Sequence, residues 1–552
     1  MKKSYIKRLK KLKQVTTTIL VLILIITSSS CRKDFKEINT DPGSFTTASD
    51  GSLFNELIST LQLGWNEQFY INNEILYPQT QLAALTKEAW GNFSLGTEEI
   101  WTNYYTSLPE VRELEKRFSG YENTPGVLNM RAMLKVVMAM KTFKVTDLFG
   151  DIPFSQAGYG FQNLQYLRPV FDSQRDIYLA LLDDLAWADA NIDESAPLTE
   201  PYKSFIAFDK LFNGDMKMWR KLANSLRLRH AMRMSEKEPE LAGNIIREVI
   251  EQNRPVLLGY DFTSPKLESA CLWPAAVGFK NESLPWSFRE HKNLRMGSNI
   301  WHMMSANDSA SGIGIFDPRL MIFFETNNKS LWAPYPQIPD ATTPSEGGIP
   351  YDSHRDQTGS FNIKGESCKF SPFNYFIIDD INYMPIILFT GAEVHFLKAE
   401  AYFRGIGVPV NKDMADNEYM NGINASLEWW LKTAMNSKLP LSGMTFPETI
   451  LIPLSLNATS VLNYYGSWMA QTEEQKLEFI YAQEMIDAFR QPWEVYALVR
   501  RTGKTPREGA PIHHFRLPYP PSEVEYNSAN TAAAIARQGG DNPENKIWWI
   551  KE

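Results

Sequence analysis

The amino-acid sequence predicts a mainly α-helical fold that carries a large loop-rich insertion with short strands. Apolar residues recur at helical spacing through most of the chain. Pro, Gly, Ser and aromatic residues instead dominate the segment 253–390, where little helical period is present. No low-complexity linker separates these regions, so we expect a single domain over residues 31–552, preceded by a targeting segment at residues 1–30.

The first 30 residues have the pattern of a lipoprotein signal peptide. Seven Lys and Arg residues and no acid precede the apolar run Ile19–Ile26. This run is much shorter than the roughly 20 residues of a membrane-spanning helix. Small residues then lead to Cys31, so we expect cleavage before Cys31 and lipid attachment to its thiol. Cleavage by ordinary signal peptidase, which would leave a free secreted protein, is the alternative.

Composition argues against several function classes. Residues 1–30 hold seven of the 56 Lys and Arg residues and none of the 64 acids, so the remaining chain has a net charge of −15. Such an acidic chain is a poor candidate for nucleic acid, because that binding depends on cationic contacts to phosphate. After Cys31 only Cys271 and Cys368 remain. Disulfides are therefore not the framework, and whether these two cysteines pair stays open.

Five segments have apolar residues at helical spacing, namely 131–145, 171–192, 218–234, 391–405 and 473–503. Ser173 and Asp176 give the second segment a capping-box start. Pro492 divides the last segment into two helices, because proline is tolerated in the first turn of a helix but not inside it. The helices resemble tetratricopeptide-like pairs, which form a concave scaffold that favours binding over catalysis.

The sequence contains no positive signature of catalysis. It has no H-E-x-x-H, C-x-x-C or G-x-S-x-G motif, and Leu498 stands where a phosphate-binding loop ending in Lys504-Thr505 needs glycine. The adjacent acids Asp183 and Asp184 fit the polar face of a helix. The residues therefore favour a binding protein, and none of them gives positive support for an enzyme, a cofactor or a metal site. A surface glycoside hydrolase and a purely structural surface lipoprotein are the alternatives.

Several stretches, taken together and in their order along the chain, form a pattern that is highly specific for one protein family. It includes "VTDLFGDIPFSQA" (145–157), "NGDMKMWRKLANSLRLRHAMR" (213–233), "TGAEVHFLKAEAYFRG" (390–405), "FIYAQEMIDAFRQPWEVYALVRRTG" (479–503) and "FRLPYPPSEVEYN" (515–527). These stretches resemble the SusD/RagB family of nutrient-binding outer-membrane lipoproteins, and in particular its SusD-like branch. Their spread covers most of the mature chain.

The resemblance implies a specific role. Members of the family resemble lids on SusC-like TonB-dependent transporters, where they capture glycans, or in some cases peptides, and release them into the channel. The resemblance implies no cofactor and no covalent chemistry. It also implies a position on the outer membrane facing the cell exterior, with the lipid on Cys31 as the tether.

Ligand contacts are predicted at aromatic residues in loops. Trp90 and Asn92 lie in a loop where the family often places such contacts. Four aromatics of the insertion have a proline close by that is expected to hold them outward, namely Trp273, Trp286, Trp332 and Tyr335. An aromatic face and an amide together suit a sugar ring and its hydroxyls. By contrast, Trp101, Tyr104 and Tyr105 lie at helical spacing and are expected in the core.

Overall fold

Helices form most of the protein in the computed structural model, which describes residues 48–89, 91, 93–261, 264–273, 287–288, 291–346, 368–374, 385–436, 457–464 and 471–551. The α-helices of ten or more residues in these ranges are α1 (Asp50–Ser59), α2 (Phe93–Ser119), α3 (Pro125–Phe149), α4 (Gln174–Asn191), α5 (Met216–Met234), α6 (Pro239–Glu251), α7 (Gly391–Arg404), α8 (Lys412–Asn436), α9 (Glu473–Asp487), α10 (Pro492–Thr502) and α11 (Ser528–Arg537).

Shorter elements connect these helices. Short α-helices lie at Tyr77–Thr80, Tyr202–Ile206, Ser298–Met304, Arg319–Phe323, Ala458–Tyr464 and Pro521–Tyr526, with a π-helix at Glu67–Leu76 and a 3-10 helix at Leu164–Leu167. The strands are β1 (Ala84–Leu85), β2 (Ile152–Pro153), β3 (Phe171–Asp172), β4 (Gly259–Asp261), β5 (Ser264–Glu268), β6 (Ala270–Leu272), β7 (Leu294–Arg295) and β8 (Ile386–Phe389). They form antiparallel two-stranded sheets, β1 with β7, β2 with β3, β4 with β5 and β6 with β8.

All five segments with a helical apolar pattern form helices, so this part of the prediction is confirmed. The first four correspond to α3, α4, α5 and α7. The fifth divides at Pro492, where α9 has ended and α10 begins. The Ser173 side chain accepts a hydrogen bond from the Asp176 amide at the start of α4. Gly405 adopts a left-handed conformation at the end of α7, which glycine reaches without steric cost.

Helices that follow one another in the chain pack together, as expected for tetratricopeptide-like pairs. α3 packs on α4, α4 on α5 and α5 on α6, and α7 packs on both α8 and α9. Each helix thereby buries one apolar face against a neighbour. Large side chains fill the resulting core, among them the fully buried Trp219, Trp430 and Trp549. Residues from Gly51 onward form one compact unit.

The predicted loop-rich insertion lies between α6 and α7. Strand β6 pairs with β8 and so connects the start of the insertion to the segment that leads into α7. Two short helices interrupt the loops, at Ser298–Met304 and Arg319–Phe323. The sequence does not predict them, because each is too short to show a repeating apolar pattern.

The two cysteines that the structure describes are buried and unbridged. Both lie in the insertion, Cys271 in β6 and Cys368 further along the chain. The disulfide that the sequence left open is therefore not formed. Among the described helices, none has both the length and the apolar character that crossing a membrane requires.

Candidate functional site

Half of the predicted ligand residues lie outside the described residues. These are Trp90, Asn92 and Trp286, and the same holds for Cys31. The structure does describe Thr86, which precedes the predicted loop. The Thr86 hydroxyl donates a hydrogen bond to the carbonyl of Asn293 (3.1 Å), and β1 just before it pairs with β7. The segment that leads to Trp90 and Asn92 therefore starts against the insertion.

Two of the predicted aromatics are buried, and their expected outward orientation is wrong. Trp332 is 8% exposed and stacks on Trp301, with ring centroids 6.1 Å apart. Tyr335 is 4% exposed, packs edge-on against Phe370 and donates a weak hydrogen bond to the Thr86 carbonyl (3.5 Å). Packing against neighbouring rings outweighs any effect of nearby prolines on these side chains. Both residues support the insertion from inside.

Trp273 has an intermediate position. It is partly buried and packs against the hydrophobic core at the end of β6. Trp101 and Tyr104, which the sequence places in the core, are 4% and 2% exposed, and Tyr105 is partly buried beside them. That part of the prediction is confirmed.

An open groove of about 470 Å³ lies on the helical scaffold, between α2, α3 and α4. The end of α2, the turn after it, the first half of α3 and one side of α4 form its walls. Its lining combines apolar and polar side chains, including Phe118, Tyr121, Asn123, Arg131, Asp184 and Trp187. Such a mixture of aromatic faces and hydrogen-bonding groups is typical of a small-molecule site.

Two half-buried aromatic residues give the groove its apolar surface. Tyr121 lies above Phe118, with ring centroids 6.4 Å apart, and Phe118 itself is 1% exposed. On the α4 side, the Lys135 ammonium lies 5.5 Å from the centre of the Trp187 ring and also pairs with Asp184. These contacts hold the two rings in place while leaving part of each accessible.

Polar groups surround these rings. Arg131 donates a hydrogen bond to the Phe118 carbonyl (2.5 Å), which fixes its guanidinium at the groove wall. The Asn123 side chain is exposed in the turn between α2 and α3, and its amide is free to donate and to accept. The groove thus offers amide, guanidinium and carboxylate groups within one surface, a set that can bond sugar hydroxyls.

The sequence carries a signal for Trp187 that the loop-based prediction missed. The apolar face of α4 comprises Tyr178, Leu181, Leu182 and Leu185, all buried. At 100° per residue, Trp187 lies on the opposite side, together with Asp183 and Asp184. A tryptophan on the polar face of a helix keeps part of its ring at the surface, and Trp187 is only partly buried against the core. That pattern therefore indicates a surface contact, whereas Tyr121 in a short turn gives no comparable signal.

A buried cluster of charges lies where α5, α7, α9 and α10 meet. Arg229 makes two hydrogen bonds to Glu393 and one to Glu494 (3.3 Å). Arg501 binds both carboxylate oxygens of Glu400 at 2.7 Å. The cavity at this cluster has a volume of about 20 Å³, which suits a water molecule and not a sugar. We assign these side chains a role in holding the helices together.

Metal binding has no support in the described ranges. No group of three or more His, Cys, Asp or Glu side chains there is placed to hold a metal ion. The candidate site is therefore the groove with Trp187 and Tyr121, together with the predicted loop residues.

Several solved structures share this fold. A chitin-binding protein is 22% identical, with a TM-score of 0.65 over 91% of this chain and 100% of the other. A SusD homologue from Bacteroides thetaiotaomicron is 22% identical, with a TM-score of 0.62 over 92% and 100%. A chitin-binding SusD homologue from Flavobacterium johnsoniae is 19% identical, with a TM-score of 0.64 over 90% and 97%. At these identities the likeness establishes the fold.

Family membership comes from the sequence itself. No curated protein matches the chain. A SusD-like family model, described as starch-binding and associating with the outer membrane, matches residues 42–509. This match covers most of the chain and agrees with the helical fold and with the ordered stretches described above. The chain belongs to the SusD/RagB family, in its SusD-like branch.

Proposed function

We propose that the protein captures oligosaccharides at the outer membrane and delivers them to a SusC-like TonB-dependent transporter. The observation that carries the proposal is the open groove in which Trp187 and Tyr121 present aromatic surface beside polar side chains. The family description as starch-binding and the chitin-binding structural relatives support a glycan as the ligand. Binding, with no chemical conversion of the glycan, is the proposed activity.

Trp187 is the groove residue expected to contribute most. A sugar ring stacked on its indole excludes water from both surfaces, while amide and guanidinium groups bond the hydroxyls. Stacking of bases on aromatic side chains gives a comparable scale, about 1–3 kcal/mol per contact. The loop residues Trp90, Asn92 and Trp286, with Trp273, are proposed as further contacts.

A glycan panel tests the proposal directly. The protein is run on affinity gels that contain α-glucans, chitin oligosaccharides or other polysaccharides, and the same mixtures are assayed for new reducing ends. We expect retardation by at least one glycan and no increase in reducing ends. New reducing ends would favour the hydrolase alternative, and retention of peptides without glycans would replace the proposed ligand.

Trp187→Ala is expected to weaken binding roughly five- to a hundredfold for a glycan that retards the wild type. This range follows from a stacking energy of about 1–3 kcal/mol, because about 1.4 kcal/mol corresponds to a factor of ten in affinity. Trp187→Phe keeps an aromatic face and should lose less. The control is Tyr526→Ala, because Tyr526 is 68% exposed and does not line the groove. Trp90→Ala is measured in parallel. An unchanged affinity for Trp187→Ala with a large loss for Trp90→Ala would assign the site to the loop instead.

Lipid attachment to Cys31 is the proposed means of anchoring. Cys31→Ala should prevent acylation, so the protein should move from the membrane fraction to the soluble fraction or remain unprocessed. Acylation is measured by metabolic labelling with a fatty acid. Equal labelling and equal membrane recovery of both proteins would exclude this anchor. Co-purification with a transporter after mild solubilisation tests the proposed partner.

A further inference from the structure

A second cavity, of about 70 Å³, lies inside the helical scaffold and is separate from the glycan groove. Its walls come from the end of α1, the π-helix, α2, α3, α5 and α10. The half-buried residues Leu61, Gln62 and Asn103 lie on its outer side, where the Asn103 amide donates a hydrogen bond to the Gln62 carbonyl (3.4 Å). The proposed glycan binding does not use this cavity.

Lys141 is the lysine most deeply buried at this cavity. It is 6% exposed, and its ammonium donates to the Thr60 hydroxyl (2.6 Å) and carbonyl (3.2 Å). Within the described part of the chain, no carboxylate lies within 4.0 Å of its Nζ atom. Burial, and after it the positive charge of Lys144, lowers the pKa of Lys141 to about 7. An ammonium has three donors, so one remains available for a further acceptor.

The acidic residues that line the cavity already have partners. Glu67 pairs with Lys144. Glu494 binds Arg229 and Arg233. These pairs leave Lys141 without an ion-pair partner of its own, because Glu67 and Glu110 act on its ammonium only at longer range. Burial of an unpaired cation is costly.

His230 adds a polar group without a partner. It is 2% exposed, lines the cavity and stacks on Phe143 with ring centroids 3.5 Å apart. Its Nδ1 atom has no hydrogen-bond partner in the described ranges. Burial, with Arg233 and Arg229 nearby, lowers the pKa of His230 well below its usual value, so the ring is neutral. Buried polar atoms normally have a hydrogen-bond partner, so an unsatisfied one calls for an explanation such as a bound water or ion.

We infer that this cavity binds the carboxylate of a small organic acid, with Lys141 as the cationic donor and His230 as a neutral hydrogen-bonding group. The carboxylate supplies the counter-ion that Lys141 lacks and the acceptor for its remaining donor. Trp493 forms another part of the wall, with the Lys144 ammonium 4.6 Å from its ring centre, and provides an apolar surface for the rest of the molecule. The carboxylate can belong to a free small acid or to an acidic sugar.

Calorimetric titration of the full mature protein tests the inference, with sodium acetate, sodium glucuronate and glucose as probes and sodium chloride as the ionic control. We expect glucuronate or acetate to bind, and glucose not to bind at this cavity. Lys141→Met keeps the aliphatic stem and removes the charge, so it should weaken carboxylate binding at least about tenfold. Lys116→Met is the matched control, because Lys116 is exposed at the end of α2 and does not line the cavity.

Leu61→Trp is the second variant. It enlarges a half-buried side chain on the outer side of the cavity and leaves Lys141 in place. It should therefore weaken carboxylate binding as well, by reducing the space in the cavity. This keeps the test decisive if Lys141→Met does not fold. Binding of glucuronate alone supports the inference with an acidic sugar as occupant, and equal binding of acetate supports it with free small acids. Equal titrations of the wild type and a folded variant, or no binding of either acid, would contradict the inference.

Discussion

Glu484 is a buried carboxyl group whose environment opposes ionisation. It lies at the small cavity of the buried charge cluster, and its Oε2 atom has no hydrogen-bond partner in the described ranges. Burial is the main cause that raises the pKa of Glu484 to about 8; Arg501 opposes the shift, and Glu393 and Glu400 add to it. The folded protein therefore holds a proton on Glu484 at pH values where the unfolded chain has released it.

Glu484→Gln should stabilise the protein at alkaline pH and change little at pH 5. With a pKa of about 8 in the folded state and 4.5 as the ordinary value, the contribution of Glu484 to stability is complete below pH 4.5 and is lost as pH rises through 8. Glutamine mimics the protonated group and does not lose that contribution. Urea unfolding at pH 5 and pH 8.5 should show a gain of roughly 1 kcal/mol or more only at the higher pH.

Glu400→Gln is the control for this experiment, because its neighbourhood has the opposite effect. Although burial favours the neutral form, Arg501 and Arg404 lower the pKa of Glu400 to about 2. Removing its charge leaves the buried Arg501 without a carboxylate partner and should cost about 3–5 kcal/mol at both pH values. Equal pH dependence of Glu484→Gln and the wild type would contradict the assigned protonation of Glu484.

At the scale of single residues, the sequence predicts core positions better than contact positions. Trp101 and Tyr104 lie at helical spacing and are buried, as expected. Trp332 and Tyr335 are buried too, although they lie in irregular structure, because rings distant in sequence pack against them. A single sequence shows the local spacing of apolar residues but not which distant side chains pack together. The exposure of a loop side chain therefore cannot be inferred from a neighbouring proline.

At the scale of secondary structure, helix ends follow from local chemistry. The Thr472 side chain accepts a hydrogen bond from the Gln475 amide (3.2 Å), and the Gln475 side chain accepts one from the Thr472 amide (3.0 Å). This capping box satisfies two donors that the first turn of α9 leaves free. Gly405 and Pro492 mark two other boundaries in the same local way, which explains why these ends could be predicted.

Thr472→Ala should therefore lower the free energy of unfolding by about 1 kcal/mol. The local loss of hydrogen-exchange protection should be confined to the start of α9. Thermal unfolding measures the global effect, and hydrogen exchange of the first amides of α9 locates it. Thr102→Ala is the control, because Thr102 is exposed inside α2, where alanine is the better helix former. If both substitutions have the same effect, the cap does not contribute to stability.

At the scale of the whole molecule, the helical scaffold was predictable and the groove was not. Each helix repeats one apolar pattern over many residues, so the sequence indicates where the helices lie. The insertion lacks this pattern, so the sequence also distinguishes it from the helices. The groove instead depends on how the end of α2, the start of α3 and the outer side of α4 come together. Tyr121, Arg131 and Trp187 are brought together by tertiary packing, which local pattern does not specify.

Cys271 and Cys368 report on the integrity of the whole folded unit. They are 2% and 0% exposed, far apart in sequence, and unbridged. Burial raises the pKa of the Cys271 thiol well above its usual value, so the reactive thiolate is scarce at neutral pH. A thiol reagent can therefore reach these two sulfur atoms only when the structure around them opens.

We expect a Cys31→Ala variant, in which these are the only cysteines, to react negligibly with Ellman's reagent in native buffer and to release two equivalents in denaturant. If the core around both thiols opens as one unit, they should react at the same rate in intermediate urea, because unfolding then limits both reactions. Cys271→Ser and Cys368→Ser variants assign the two signals. Rapid reaction of Cys368 alone in native buffer would show that the segment around Cys368 opens independently of the region around β6, and no reaction in denaturant without a reductant would indicate a disulfide.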